Sequence, residues 1–420
     1  MQRSYKSVAV RSFQRWKNFF QRWNEHSTTD ERLSIATPID RPHHPCYDLS
    51  NVGIAGSERG GTRVGTTLKD VAVRAGVSIK TVSNVVNERP YVTDDTRGRV
   101  LAAIAALHYR PNLSARHLRT GRAGVLALAI PDLGNTYFAD LGKTVGAAAA
   151  DLGYTVLLDH TGGDRAGESL AVNGLRHNLI DGVLLSPLAL EMEDLRPERV
   201  AVPLVLLGER LFGVPYDHVV PNNVAAARLA TEHLLELGRR RIAAIGVQEV
   251  TNGATGTLRL QGYVDALTAA GHAVDRDLLA PVASFHRPDG AAAMRRLLAL
   301  DEPPDAVFCF NDLLALGAIR ALHDAGRRVP HDVAVVGYDD IEEGLFATPS
   351  LTTIAPDKEE IGRVAVSLLV ARIEGLRTQP PAHIEAPFRL IVRESTAGAG
   401  DAKPHRERYP CGAAPMNDTS

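Results

Sequence analysis

Cysteine is scarce in this chain: Cys46, Cys309 and Cys411 are the three among 420 residues. So few and so far apart, they form neither a disulfide framework nor a paired-thiolate metal site, and they suit a reducing cytoplasm. Cys309 lies in the apolar run AVFCF and reads as a buried small hydrophobe. Long apolar runs are also missing: none approaches the roughly 20 residues that cross a bilayer. Catalytic signatures are missing too. There is no G-x-S-x-G elbow and no H-E-x-x-H pair. Gly142-Lys143-Thr144 lacks the upstream glycine of a phosphate loop, whose place Tyr137 takes, and reads as helix surface. Neither an enzyme nor a membrane protein is expected, and no metal or cofactor. What remains is a globular composition, 45% hydrophobic and 23% charged, with room for two or three domains.

The most informative stretch runs from Thr66 to Arg122. Leu68, Val71, Ala72 and Ala75 share one helical face, Thr67 and Asp70 have the spacing of a capping box, and Gly76 stops the helix. Ser78 then caps a second helix. Val82, Val85 and Val86 form its apolar face, and Ile79, Lys80, Ser83, Asn84 and Asn87 point elsewhere. Two short helices around a glycine turn predict a helix-turn-helix. A third helix starts at Thr93, with Val100, Leu101, Ile104 and Leu107 on its core face, and Pro111 limits it beyond Tyr109. Arg and Lys outnumber acids in this stretch although the whole chain has net charge −2, so the positive charge needed for phosphate contacts is concentrated here.

The sequence TLKDVAVRAGVSIKTVSNVVN, with VTDDTRGRV and YRPNLSARHLRTG after it, resembles the lactose-repressor/galactose-repressor family of bacterial regulators, and the likeness extends to about Thr396. The resemblance implies an all-α helix-turn-helix DNA-binding head (66–110), a hinge helix (111–121) and an α/β two-lobed domain of the type I periplasmic-binding-protein kind (122–396). Lobe one would take 122–221 and 353–386, and lobe two 222–352 and 387–396. It also implies a homodimer on a pseudo-palindromic operator in double-stranded DNA, controlled by a small-molecule effector, a sugar or related polyol. Ile79, Lys80 and Asn84 match the family's specificity positions. Lys80 can donate to guanine, Asn84 can pair with adenine, and Ile79 can meet a thymine methyl. Thr67, Ser78, Thr81 and Ser83 read as phosphate contacts or turn holders. In the hinge, Asn112, Leu113, Ala115, Arg116 and Arg119 would join DNA, with Leu118 wedged between base pairs in the minor groove.

Residues 1–65 do not fit that family. Basic residues interleave with Phe13, Trp16, Phe19, Phe20 and Trp23, as in a basic amphipathic helix, and a polar, Pro- and Gly-containing stretch follows. A disordered extension is expected, or upstream sequence from a misassigned start, with Val64 as an alternative. A disordered tail is expected over 397–420.

From Gly124 apolar strands alternate with helices, the pattern of parallel sheets covered on both faces. Such sheets bind ligands at the carboxyl ends of their strands. Asp132, Asn135, Tyr137 and Phe138 follow the first strand, Glu209 and Arg210 another. Asn311 and Asp312 end DAVFCF, Tyr338, Asp339 and Asp340 end VAVVG, and Arg259 stands just before a helix. Carboxylates, an amide, an arginine and rings suit a polyol. By resemblance Arg259, Asn311, Asp339 and Phe285 match effector positions. Thr136 replaces a proline of the family's N-P-F-F motif, and Gly208 stands where many members carry an aspartate. Asp312 and Asp340 read as helix caps. The competing reading is a periplasmic-type sugar receptor without DNA binding, which would require an export signal in place of the head; residues 3–23 lack an apolar signal core.

Overall fold

A computed structural model describes residues 66–86, 91–109, 122–173, 179–208, 211, 213–248, 254–398 and 406–408. The expected extension over 1–65 and the hinge over 111–121 lie outside them.

The head is three helices, α1 (Leu68–Ala75), α2 (Ile79–Val86) and α3 (Asp94–Ala106). The capping box is present: Asp70 N–H donates to Thr67 Oγ1 at 3.4 Å, and Thr67 N–H donates to Asp70 Oδ2 at 2.8 Å. Gly76 turns the chain with φ 65°, where a Cβ would be strained. Ser78 Oγ accepts from Thr81 N–H at 3.1 Å and starts α2. Val71, Val82 and Val100 meet at zero exposure, with Ala72, Ala75, Val85, Ala103 and Tyr109 around them. Leu101 is not in this core: it is 52% exposed, and Ala103 is buried instead. One residue along a helix rotates the side chain by about 100°, so Leu101 leaves the face that Val100 holds.

The rest is two sheets. The first has strands β1 (Val125–Ile130), β2 (Thr155–His160), β3 (Gly182–Leu185), β4 (Leu204–Leu207), β5 (Asp217–Pro221) and β11 (His383–Ala386), in the order β11-β5-β4-β3-β1-β2, all parallel. Helices α4 (Thr136–Asp151) and α11 (Lys358–Ile373) pack on one face; α5 (Arg165–Val172) packs on the other. The second sheet has β6 (Ile242–Val247), β7 (Leu279–Pro281), β8 (Ala306–Cys309), β9 (Ala334–Tyr338), β10 (Thr352–Pro356), β12 (Phe388–Val392) and β13 (Arg406–Arg408), in the order β13-β12-β10-β9-β8-β6-β7. Helices α6 (Asn223–Glu236) and α7 (Ala254–Ala269) cover one face, α8 (Arg287–Leu298) and α9 (Asp312–Asp324) the other. Short helices α10 (Glu342–Leu345) and α12 (Glu394–Ala397) follow β9 and β12.

The chain passes between sheets at three places: after Pro221, after Pro356, and at Pro387 between β11 and β12. The second passage differs from the boundary expected at 352/353. Thr352–Ile354 pairs with β9 and Thr353–Pro356 with β12, so the ladder holds 353–356 in the second sheet. The tail differs as well, because Arg406–Arg408 pairs antiparallel with β12 where polar composition suggested no structure.

Two helix pairs cross at glycine. A Cβ on Gly262 of α7 would lie 2.2 Å from the Val224 carbonyl oxygen of α6. In α8 and α9 the contact is reciprocal: Gly290 faces Leu314 O at 2.1 Å, and Gly317 faces Arg287 O at 2.0 Å. Gly317→Ala therefore forces the helices apart and is expected to lower the unfolding free energy by about 1–3 kcal/mol, read as a lower urea midpoint. Gly98→Ala in α3 meets nothing within 4 Å. It is expected to raise head stability by about 1 kcal/mol through helix propensity.

His218 of β5 is buried beside His383 of β11, with ring centroids 5.9 Å apart. Burial, and then the neighbouring imidazole, push it down to about 4. The folded state therefore prefers neutral His218, while the unfolded chain binds a proton below about 6.5. This contribution is complete above that pH and is lost as pH falls toward about 4. His218→Leu should flatten the pH dependence of unfolding in that window, by up to about 3 kcal/mol; an unchanged profile would contradict it.

Candidate functional site

The face of α2 opposite its valines is the one available to a large partner. Ile79 is 48% exposed and Lys80 is exposed, while Asn84, Ser83 and Thr81 are half-buried beside them. Ser78 and Thr81 hydroxyls lie 2.9 Å apart, so they hold the turn before they hold anything else. Lys69, Arg74 and Arg99 are exposed on the same three-helix unit. Thr67 is half committed to its capping box. Asn112, Leu113, Ala115, Arg116, Leu118 and Arg119 lie outside the described residues.

A second site lies between the sheets. Their carboxyl ends converge on a cleft of about 450 Å³, and Asp132, Asn135, Tyr137, Phe138, Arg259, Phe285, Asn311 and Asp339 all line it. Glu209 and Arg210 are outside the described residues. From the first lobe, Asp132 Oδ1 accepts from Gly134 N–H at 2.8 Å, and Asn135 Oδ1 caps α4 at Tyr137 N–H, 3.1 Å. Tyr137 and Phe138 rings meet edge-on at 5.3 Å.

From the second lobe comes Arg259. It sits inside α7, not before a helix, because the helix already starts at Ala254. It is 7% exposed. Its guanidinium donates to Asn223 Oδ1 at 2.7 Å and to the Phe310 carbonyl, and lies over the Tyr338 ring at 3.4 Å. Asp339 Oδ1 is 4.0 Å from its Nη2. Asp339 is one of the few non-glycine residues with a left-handed φ, 114°, and Asp340 follows at 50°.

Two of the expected roles change, and Asn311 takes on a second. Asn311 is itself the cap of α9, accepting from Leu314 N–H at 2.9 Å, while its Nδ2 donates to Phe285 O at 3.0 Å. These bonds use one acceptor and one donor of the amide, so Asn311 shapes the cleft wall and keeps a lone pair and an N–H beyond them. Asp312 is not the cap. It is fully buried, accepting from Ile341 N–H and Thr353 Oγ1. Asp340 does not cap either; its carboxylate accepts from Arg393 at 2.7 Å.

Several lining residues went unread: His160, Ser186, Gln248, Thr255, Ser284 and His286. His160 and Ser186 end β2 and β3, and the strand-end rule would have found them. His286 pairs across the cleft with Asp132 at 2.9 Å. Near it, Glu343 Oε1 accepts from Thr136 Oγ1 at 2.8 Å and from Arg287 at 3.1 Å. Lys358 donates to Asp140 Oδ2 at 2.9 Å and to Asp340 O at 3.0 Å. Side chains of both lobes thus meet along one edge of the cleft. Gly208 turns with φ 107°, and an added Cβ would meet Ser186 Oγ at 3.5 Å. Among the described residues no three metal-ligating side chains converge.

The comparisons with known proteins decide what such a chain is. Residues 67–112 match the family described as bacterial regulatory proteins, lacI family, and residues 231–396 match the periplasmic binding protein-like domain. The ribose operon repressor of Halalkalibacterium halodurans is 35% identical over 339 residues, which is 80% of this chain and 99% of the repressor. The chain belongs to the LacI family of bacterial regulatory proteins. Two solved structures agree. The CelR–cellobiose complex is 36% identical with TM-score 0.58, over 79% of this chain and 99% of that one. The lac repressor dimer bound to operator and the anti-inducer ONPF is 29% identical with TM-score 0.68, again over 79% and 99%. Like other LacI-family members, this protein is a DNA-binding transcription regulator and not an enzyme. Its architecture is the family's: a helix-turn-helix head with a two-sheet α/β periplasmic-binding-like domain. No described helix is long and apolar enough to cross a membrane.

Proposed function

We propose that the protein is a homodimeric repressor that binds a pseudo-palindromic operator and changes its operator affinity when a neutral sugar occupies the cleft. The observation that carries this reading is the pairing, in one chain, of an exposed α2 face with a cleft lined by Asp132, Asp339, Arg259 and aromatic rings. Two heads would enter successive major grooves, with Ile79, Lys80 and Asn84 at base edges. The hinge residues Asn112, Leu113, Ala115, Arg116 and Arg119 would follow the backbone, and Leu118 would wedge into the minor groove. The protein would act in the cytoplasm, on the nucleoid.

The neutral character of the effector follows from the charges. Arg259 already donates to Asn223 and Phe310 and faces Asp339, so it offers an anion little. Asp132 and Asp339 are acceptors suited to sugar hydroxyls, and Tyr137, Phe138 and Phe285 offer faces for the apolar side of a ring. Relatives point the same way, since one is a ribose operon repressor and another was solved with cellobiose. The Asp132–His286 and Thr136–Glu343 contacts span the lobes, so a ligand that competes for these groups alters the lobe arrangement. It can do so only by its differential affinity for the two arrangements.

The test is selection of duplexes from a random library by the full chain at fixed salt, with and without a panel containing ribose, cellobiose and gluconate. A palindrome is expected, with its enrichment altered by a neutral sugar and not by the acid. Asn84→Ala should relax preference at one position per half-site, by about 1–3 kcal/mol. An unaltered motif for that variant would remove Asn84 from base readout, and no selected motif under any condition would refute the operator reading.

A further inference from the structure

Asp312 is a buried carboxyl for which the mechanism above has no role. It begins α9, one residue after Asn311, and is wholly buried. Its Oδ2 accepts from Ile341 N–H at 2.9 Å and its Oδ1 from Thr353 Oγ1 at 2.6 Å. A Cβ on Gly337 would lie 2.1 Å from Oδ1, so the carboxyl is pressed against the backbone just before Tyr338 and Asp339. The segment above it is the strained one. Asp339 and Asp340 have φ of 114° and 50°, a region that side-chain-bearing residues rarely adopt and that persists only when neighbours over-determine it. Those neighbours are identifiable. Asp339 N–H donates to Ile354 O at 2.8 Å, Arg393 holds the Asp340 carboxylate, and Asp312 takes the Ile341 N–H. The start of α9 thereby anchors two walls of the cleft, since Asn311 holds Phe285 O while Asp312 holds the Asp339 loop.

We propose that Asp312 is a positioning residue that straps the 339–341 loop from beneath and so presents Asp339 to the effector. The proposal rests on the reading of Asp339 as an effector contact. Burial, and then the neighbouring Asp339, push the Asp312 carboxyl well above the usual range. A neutral amide can replace it, because an Asn oxygen would accept from Ile341 N–H while its NH₂ donates to the Thr353 hydroxyl. That hydroxyl has a further acceptor in Ile354 O at 3.2 Å.

Amide hydrogen exchange of the full chain tests this without a known ligand. Asp312→Asn should leave exchange at 339–341 as in the parent. Asp312→Ala should speed it there by about tenfold or more while Val335 and Val336 of β9 stay protected. Thr353→Val removes the second partner without touching α9; because Thr353 Oγ1 also accepts from Asp340 N–H at 3.4 Å, it is read at Asp339 and Ile341, where an intermediate increase is expected, and this keeps the test available if the alanine variant fails to fold. Unchanged exchange at 339–341 in both Asp312→Ala and Thr353→Val would overturn the proposal, as would Asp312→Asn behaving like Asp312→Ala. Titration of the same variants with cellobiose and ribose judges the reading beneath it: a sugar that binds the parent should bind Asp312→Asn equally and Asp312→Ala about tenfold more weakly. Loosened exchange with unchanged sugar affinity would remove Asp339 from the effector site while leaving the strap intact.

Discussion

A buried guanidinium constrains the second lobe more than any other group. Arg259 reaches the floor of the cleft from α7, and a charge taken out of water there must be fully paired or the fold loses several kcal/mol. Its partners come from α6, from the end of β8 and from the end of β9. Those three elements can hold their relative positions only if Asn223, the Phe310 carbonyl and the Tyr338 ring all face one point. Asp339 lies 4.0 Å from the same group, and it is the residue held with a left-handed backbone. The cation thus sets the shape of the wall, and the Asp339 loop, held by its own partners, lies beside it.

The lobes are joined by more than three backbone passages. Asp132–His286, Thr136–Glu343 and Lys358 with Asp340 O tie one edge of the cleft across the lobes. All of these are partly exposed polar contacts, each of modest strength. A ligand can displace them one by one, whereas the apolar cores behind them stay intact. This division between rigid sheets and weak interlobe contacts is what a two-state effector domain requires. Lys358 spans the two lobes, its ammonium touching α4 of the first and the Asp340 carbonyl of the second.

Much of this was legible in the amino-acid sequence, because local chemistry decides it. Thr67 and Asp70 cap α1 through neighbouring atoms, Gly76 relieves a steric clash, and apolar runs such as VLALAI become strands buried on both faces. The convergence of eight expected residues on one cleft follows from strand ends sharing an edge. What stayed hidden depends on partners far along the chain. Asn311 caps α9 and holds Phe285 O, 26 residues earlier, as well as lining the cleft, and Asp312 looks like a cap until Thr353, 41 residues later, closes over it. The passage after Pro356 was misplaced by a few residues because β10 is held by pairing with β12, which lies beyond α11. Leu101 lies off the core face of α3 although it adjoins buried Val100.

In the proposed function cleft occupancy and operator binding are linked, and linkage is reciprocal. The most direct test is to measure the affinity of the full chain for its sugar twice, free and saturated with its selected operator duplex, beside operator affinity with and without that sugar. The two ratios are expected to agree and to differ from one, by about 5- to 150-fold. A sugar affinity unmoved by operator would contradict it, and would leave the head and the cleft as two independent sites on one chain.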